Sequence, residues 1–449
     1  MAAWTLPESI AKWIELLTLA LDRRSRKYLA TFFLGMILSS GRRTVSSWLR
    51  AAGVGDDWQD HYYFLQTLGR SAAAVSTRLL LLALRWIPRS HVGDYVRLAL
   101  DDSPTKRYGP RVEGAGIHHN PTPGPAGSPF LYGHSWVTLS WLVRHPKWGC
   151  LGLPLRALMY VRRTDLEELE RADKAPWEFR TKLELAAELV EWCVKMLRDR
   201  LEKPVIVAVD GAYAKREFLK RTQAAGAVVV SRLRKDAALY DLPEVPKKRG
   251  QGRPRKYGTN RLRLDKRGAH PRGWTTEELT LYGELQSVTY KTFLATYPPA
   301  GGTIRVVIVK NADDGWKAFF STDPDLSVTQ ILESVADRSA IEQNFHDVKE
   351  VHGAGQQQVR NVWCSVACWN LPLWLHTLVE LWSWRRSGNT LRQRDDRPWD
   401  DATRRPSHAD RLKTLKKQVL SETFSRLPRY QRAARKIQTL FNTLKNLVA

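Results

Sequence analysis

The chain has 449 residues, of which 43% are hydrophobic, so a disordered or fibrous protein is excluded and about three folded domains are predicted. The 71 Lys and Arg outnumber the 46 Asp and Glu, which gives a net charge of +25. Such an excess repels itself unless it faces a polyanion. Because the basic residues are spread over several segments, nucleic acid is favoured over an anionic membrane surface.

Four cysteines are too few and too irregularly spaced for a disulfide framework, which favours a reducing compartment. Cys364 and Cys368 lie among apolar residues and are interpreted as buried thiols rather than zinc ligands. The first apolar stretch contains Glu8 and Lys12, and its arginines follow it instead of preceding it. No secretory signal is therefore predicted, and we expect a cytoplasmic protein.

Residues 1–92 have helical periodicity and are predicted to form a helical domain, a candidate for binding DNA ends. Within it, a helix from Arg42 to Leu49, a glycine turn and a helix from Trp58 to Leu68 are compatible with a helix-turn-helix DNA reader. An ordinary helical hairpin explains the same pattern equally well.

Short β-rich segments begin near Asp94, and later strands alternate with helices. This order predicts an α/β sheet with an antiparallel early part and later crossovers. Residues 93–360 are predicted to form this domain, with a β-rich basic insertion at about 236–325. In the insertion, Arg253 lies between Gly252 and Pro254 and is followed by Arg255 and Lys256. An extended Arg of this kind can enter a narrow minor groove, although a basic linker gives the same pattern.

The stretch from Arg338 to Lys349 carries polar groups at helical spacing. At about 100° per residue, Glu342 lies about 40° and Lys349 about 20° around the helix from Arg338. One carboxylate and two cations on one arc suit a metal-bound phosphate, while an Arg–Glu pair at this spacing is also typical of a solvated surface.

The remainder of the chain divides into an apolar and a basic part. Residues 361–384 are predicted to be a buried helical segment, a helix pair rather than a membrane span, because the run contains Asn370, Pro372, His376 and Glu380. Residues 385–449 are predicted to be a basic helical region that contacts DNA phosphates.

Carboxylates follow two apolar strands of the predicted sheet. Asp101 and Asp102 close the strand that begins at Tyr95, and Asp210 closes the strand from Pro204 to Val209. Strand ends bring acids to one edge of a sheet, and Glu342 on a packed helix adds a third. Three carboxylates can hold two Mg²⁺ ions, with Mn²⁺ as a substitute, and such pairs catalyse attack on phosphodiesters. Taken singly, strand-end acids are more often turn formers and helix caps.

These residues resemble the DDE-type transposases of bacterial insertion sequences, in the cut-and-paste branch with the Y-R-E-K signature. Arg338, Glu342 and Lys349 fall on the last three signature positions without a gap, whereas Val335 stands at the Tyr position. Asp102, which precedes Ser103, corresponds to the first acid, although a register shift of one residue would exchange it with Asp101. Asp210 corresponds to the second acid.

The resemblance implies an RNase H-like catalytic fold in which Asp102, Asp210 and Glu342 are catalytic and bind metal, while Arg338 and Lys349 hold DNA phosphates. It further implies that the protein binds terminal inverted repeats, hydrolyses the ends and joins the 3′-hydroxyls to target DNA. A homodimer in the synaptic complex and a location at the bacterial nucleoid are expected. A structure-selective nuclease and a transposase-derived DNA-binding regulator are the alternatives.

Overall fold

The computed structural model describes residues 4–119, 127–174, 176–244, 255–311, 315–391, 401, 404–426, 437 and 441. The N-terminal part is helical, as expected. Some helices begin where a side chain caps the first turn, and others where an apolar face meets the core. Thr44 is such a cap, because its side chain accepts a hydrogen bond from the Ser47 amide. The helices before the sheet are α1 Glu8–Thr18, α2 Arg26–Leu38, α3 Val45–Ala51, α4 Trp58–Arg70 and α5 Ala72–Trp86.

The helix-turn-helix candidate corresponds to α3 and α4. Trp48 of α3 is fully buried against α2, where Gly35 lies directly against the Trp48 backbone. Helix α4 packs along a later core helix and leaves Trp58 and Tyr63 exposed. The pair is therefore firmly part of the core, and one face of α4 remains open to solvent.

The sheet is mixed, with antiparallel early strands, a parallel centre and antiparallel later strands, which confirms the predicted α/β class. Its order is β2-β3-β1-β5-β6-β12-β11-β10-β7-β8, with β4 on β3 and β9 on β10. The strands are β1 Val96–Lys106, β2 Gly116–His119, β3 Phe130–His145, β4 Gly149–Tyr160, β5 Val205–Val209, β6 Ala227–Leu233, β7 Leu239–Tyr240, β8 Arg261–Leu262, β9 Thr275–Leu281, β10 Glu284–Tyr297, β11 Gly302–Lys310 and β12 Trp316–Ser321.

Helices α6 to α9 connect these strands. Thr181 and Glu184 form a reciprocal cap at the start of α7, which packs against β3 and β4. The crossover from β5 to β6 passes through α8, so these two strands are parallel, as β1 and β5 are. The four helices are α6 Arg163–Arg171, α7 Lys182–Arg198, α8 Arg216–Ala224 and α9 Leu264–Ala269.

The insertion between Asp210 and Glu342 continues the same sheet. Strand β12 pairs antiparallel with β6, and β11 and β10 follow outward. The β9–β10 hairpin turns at Tyr282 and Gly283, which both have positive φ (56° and 86°), as a two-residue hairpin turn requires. The insertion thus adds strands to the sheet that carries the acids.

The helix that carries Glu342 is interrupted. Ser327 and Gln330 form a reciprocal cap before α10 Val328–Asp337, and α11 Ser339–His346 follows after Arg338. The chain then widens into one π-helical turn, Asp347–Val351, and leaves the helix through Gly353 and Gly355, which both have positive φ.

The apolar run forms one helix, α12 Val362–Ser383, instead of the predicted helix pair. Pro372 lies inside it, and packing on all sides holds the helix together despite the missing hydrogen-bond donor. It is long and apolar enough to cross a membrane, but 94% of its apolar window is buried within the fold, as is typical of a core helix. Two further helices, α13 Gly388–Leu391 and α14 His408–Ser425, belong to the basic C-terminal region.

Gly69 allows α4 to approach α12 closely. A Cβ at Gly69 would lie 2.0 Å from the Trp363 carbonyl oxygen, a distance that forces the helices apart. We expect Gly69→Ala to destabilise the protein by about 1–3 kcal/mol, despite the higher helix propensity of Ala. Urea unfolding monitored by circular dichroism measures this loss.

Gly55→Ala is the matched control. Gly55 lies in the turn before α4, its Cβ would meet nothing within 4 Å, and its φ is not positive. An equal loss of stability in both variants would contradict the close-packing explanation.

Candidate active site

A cleft of about 1160 Å³ opens beside the C-terminal half of β1 and the end of β5. It is lined by four acids, Asp101, Asp102, Asp210 and Glu350. Basic side chains surround these acids: Arg42, Lys106, Arg162, Lys182 and Lys349. Because β1 and β5 run parallel with Leu100 level with Val209, Asp101 and Asp210 are the next residues along two neighbouring strands. Asp101 and Asp210 are therefore neighbours, as predicted, but the prediction that Asp101 and Asp102 close their strand is wrong, because β1 continues to pair with β3 as far as Lys106.

Asp101 and Asp102 point to opposite faces of the sheet, because side chains alternate along a strand. Ala99, two residues before Asp101, packs with Ile341 of α11, so Asp101 lies on the face covered by the Glu342 helix. Leu100, two residues before Asp102, belongs to the main core on the other face. The two neighbouring acids consequently have different partners.

Arg338 links Asp101 to Glu342. Its Nη1 donates to Asp101 Oδ2 at 2.9 Å, and its Nη2 donates to Glu342 Oε1 at 2.7 Å. Arg338 is largely buried, whereas the Glu342 side chain is 60% exposed. The interpretation as a solvated Arg–Glu pair holds for Glu342 but not for Arg338, because Arg338 also holds the half-buried carboxylate of Asp101, which lines the cleft.

Asn344 fixes α11 against the sheet. It accepts a hydrogen bond from Ser140 of β3 at 3.0 Å and donates to the Gly152 carbonyl of β4 at 3.0 Å. With Ile341 buried beside Ala99, these bonds set the rotation of α11 and direct Glu342 and Arg338 toward β1.

Asp102 lies in a different network. Lys182 at the start of α7 approaches Asp102 Oδ2 to 2.5 Å, and the Tyr213 hydroxyl donates to Asp102 Oδ1 at 2.9 Å. Burial raises the pKa of Tyr213 well above its ordinary value, and the charge of Asp102 raises it further, so this hydroxyl remains a donor. Both oxygens of Asp102 are therefore engaged by residues of the chain.

The surroundings of Asp101 disfavour an isolated negative charge. Burial, with smaller contributions from the charges of Asp102 and Asp210, raises the pKa of Asp101 to about 6 against the opposing effect of Arg338. A bound cation would lower that pKa, because an opposite charge stabilises a carboxylate. Asp210 is exposed at the end of β5, so Asp101, Asp210 and Glu342 provide oxygen donors of the kind that Mg²⁺ and Mn²⁺ prefer.

Lys349 lies in the π-helical turn and also reaches β1. Its ammonium group donates to the Pro104 carbonyl at 3.0 Å, and burial lowers its pKa. Arg338 and Lys349 thus contact the same strand, Arg338 at Asp101 and Lys349 three residues further on. Val335, at the signature Tyr position, packs instead against an apolar cluster with Ile331 and Leu332.

The predicted DNA-binding residues of the insertion lie apart from the cleft. Arg255 and Lys256 are exposed, and neither lines the cleft. Arg253 lies outside the described residues, so its prediction as a minor-groove residue stays a prediction.

Lys182 and Tyr213 were missed by the sequence analysis. Tyr213 follows Asp210 by three residues within the turn Asp-Gly-Ala-Tyr, and this proximity was an available signal. Lys182 had no such signal, because only the packing of α7 on the sheet brings it to β1. Arg42, from the loop before α3, likewise joins the cleft through tertiary packing.

Comparison with known proteins gives a family. A profile described as DDE superfamily endonuclease matches residues 16–294, which include Asp101, Asp102 and Asp210 but end before Glu342. A comparison with curated protein sequences gives no match. Among solved structures, the chain is similar to a piggyBac transposase in a synaptic complex with hairpin DNA, at 10% identity and a TM-score of 0.42, over 99% of this chain and 84% of that one.

The profile match spans more than half of the 449 residues. The chain therefore belongs to the DDE superfamily endonuclease family.

Proposed function

We propose that this endonuclease is a DNA transposase of the insertion-sequence type, in the branch with the Y-R-E-K signature. It would bind the terminal inverted repeats of its element, hydrolyse the ends and join the 3′-hydroxyls to target DNA. The observation that carries the proposal is the Arg338 bridge from Asp101 to Glu342, beside a cleft that Asp101 and Asp210 line together with several cations. A phosphodiester backbone fits this combination of acids and bases.

The three metal-binding carboxylates of the proposal are Asp101, Asp210 and Glu342. Asp101 replaces Asp102 because it lies on the Glu342 face, whereas Lys182 and Tyr213 already engage both Asp102 oxygens. Two divalent ions, when bound, would activate the entering oxygen and neutralise the leaving one. Mg²⁺ is the expected ion and Mn²⁺ a substitute.

The cationic groups of the cleft would position the DNA. Arg338 can present its planar fork to a phosphate once a metal ion takes over the charge of the two carboxylates it now bridges. Lys349 and Lys182 would act as point charges on either side. Arg253, Arg255 and Lys256 of the insertion would contact flanking DNA, and two ends held together would require a homodimer acting at the bacterial nucleoid in the cytoplasm.

The test uses an oligonucleotide that carries an inverted repeat found beside the coding sequence. With Mg²⁺, the protein is expected to cut this end and to join a labelled pre-cut end to plasmid DNA. Asp210→Ala should abolish both reactions and leave binding of the end intact, because only the metal site is changed. Asp199→Ala is the control, since Asp199 is an exposed acid beyond α7.

Each alternative has its own result. A structure-selective nuclease would cut branched DNA and join nothing, and a DNA-binding regulator would bind the repeat and cut nothing. Full cleavage by Asp210→Ala would contradict the assignment of Asp210 as a metal-binding carboxylate.

A further inference from the structure

A second group of ligand-type side chains is buried beneath the Glu342 helix. Asp347 and His352 come from the π-helical turn and the residue after it, His376 from the middle of α12, and His408 from the first turn of α14. All four are buried, in contrast to the exposed Glu342. Three segments far apart in the sequence therefore meet at one polar point in the core.

The donor atoms of this group lie at near-ligating separations. Asp347, His376 and His408 each offer one atom within 4.8 Å of the other two. Asp347 Oδ2 lies 3.6 Å from His376 Nε2, and His408 Nε2 lies 2.7 Å from His352 Nε2. Zinc bonds of about 2.0–2.2 Å in a tetrahedron set ligand atoms about 3.3–3.6 Å apart, so small side-chain shifts suffice to enclose an ion.

Outer hydrogen bonds already orient the ligands. His408 Nδ1 donates to Glu380 Oε1 at 2.6 Å, and Arg411 Nη1 holds both Glu380 oxygens at 2.7 and 2.5 Å. Because Nδ1 carries the proton, Nε2 of His408 is the lone-pair nitrogen. It now accepts a hydrogen bond from His352 Nε2 at 2.7 Å, and a metal ion would take the place of that hydrogen, as in the carboxylate–histidine–metal arrangement of zinc proteins. Similarly, Gln343 donates to Asp347 Oδ1 at 2.9 Å and leaves Oδ2 toward His376.

Hydrogen bonding within the cluster is incomplete. Within the part of the chain that the structure describes, Nδ1 of His352 and Nδ1 of His376 are buried atoms without a hydrogen-bond partner. A buried polar nitrogen left in this way costs free energy, so ordinary core histidines do not explain the group. Arg411 compensates the charge of Glu380, whereas among the described residues the Asp347 carboxylate contacts only Gln343 and histidines, so a cation bound between Asp347 and the histidines would compensate its charge.

We propose that Asp347, His376 and His408, with His352 as the fourth ligand, form a structural zinc site that fixes α14 and α12 to the turn after the Glu342 helix. Imidazole nitrogens with one carboxylate select zinc over Mg²⁺, which prefers oxygen ligands and retains waters. The burial of all four ligands leaves no open coordination position, which is typical of a structural rather than a catalytic zinc.

The test measures zinc in the full-length protein, expressed with added zinc and purified without a polyhistidine tag. Mass spectrometry of the metal content should give about one zinc per chain. Asp347→Asn, which keeps the side-chain volume, and His408→Ala should reduce zinc to background. His270→Ala, at an exposed histidine of the insertion, and Asp210→Asn should retain it, which separates this site from the cleft.

A stability readout completes the test. Chelation of the wild-type protein should lower its melting temperature, and Zn²⁺ but not Mg²⁺ should restore it. If His408→Ala is insoluble, Asp347→Asn and the Co²⁺-substituted wild type decide the matter, since a four-coordinate Co²⁺ site gives visible absorption that the variant would lose. Zinc-free wild-type protein that shows no thermal shift with Zn²⁺, or unchanged zinc in Asp347→Asn, would overturn the proposal.

Discussion

Asp101→Asn is expected to lower Mg²⁺-dependent DNA cleavage by about a thousandfold or more. A metal ligand at this position supports several kcal/mol of transition-state charge stabilisation, and each 1.36 kcal/mol corresponds to tenfold in rate. Asn keeps the shape of the side chain and a hydrogen-bond acceptor for Arg338, which approaches Asp101 to 2.9 Å, so binding of the DNA end should persist. Gel assays of cleavage and of end binding measure the two effects separately.

Asp102→Asn is the matched variant at the neighbouring position. Tyr213 can still donate to its amide oxygen, and we expect cleavage to fall by about tenfold or less. Asp101→Cys adds a metal-specific readout, because a thiolate is a softer ligand and should support cleavage with Mn²⁺ but not with Mg²⁺. Loss of activity in Asp102→Asn with full activity in Asp101→Asn would return the first acid to Asp102, the residue favoured by the sequence.

Glu380→Ala is expected to destabilise the protein by about 3–5 kcal/mol, the usual cost of leaving a buried charge without its partner. Glu380 and Arg411 are both almost completely buried, so water cannot compensate the charge of the guanidinium once the carboxylate is gone. Burial alone would raise the pKa of Glu380, but Arg411 and His408 lower it below its ordinary value. Urea midpoints measured in chelator, so that metal binding does not contribute, give the change in unfolding free energy.

Removing both charges should reverse most of this loss. The double variant Glu380→Leu/Arg411→Met leaves no unpaired buried ion, so it should be more stable than Glu380→Ala. Glu8→Ala, which breaks the exposed Glu8–Lys12 pair, should have no measurable effect. A double variant no more stable than the single one would show that the pair contributes little and that packing around Glu380 dominates.

Local sequence patterns were sufficient for much of the fold. The apolar strand before Asp210, the cap formed by Ser327 and Gln330 and the glycines after the π-helical turn each act over a few residues, so they are legible without tertiary contacts. Glu342 and Arg338 could be placed on one helix face for the same reason. The prediction that this helix face lies against Asp102 and Asp210 rested on the family resemblance as well.

Other features depend on how distant segments pair. Whether Asp101 or Asp102 faces α11 is decided by the alternation along β1 and by which helix covers each face, and the hydroxyl residue Ser103 carries no information about either. The amino-acid sequence alone gives no reason to group Asp347 with His376 and His408, because their positions depend on the π-helical turn and on the packing of α14. The single helix through Pro372 is likewise a tertiary effect, since packing outweighs the local preference for a break.

The continuous sheet has a mechanical consequence. Backbone hydrogen bonds run without interruption from β1 and β5, next to Asp101 and Asp210, through β6 and β12 to the β9–β10 hairpin. A segment joined in this way has no hinge, and reorienting it requires breaking a ladder or twisting every strand together. The hairpin tip therefore stays at a constant distance and angle from the acids. If one DNA duplex contacts both the acids and the hairpin tip, the distance along the DNA between these two contacts is fixed by the number of strands between them. Loop motion would not change it.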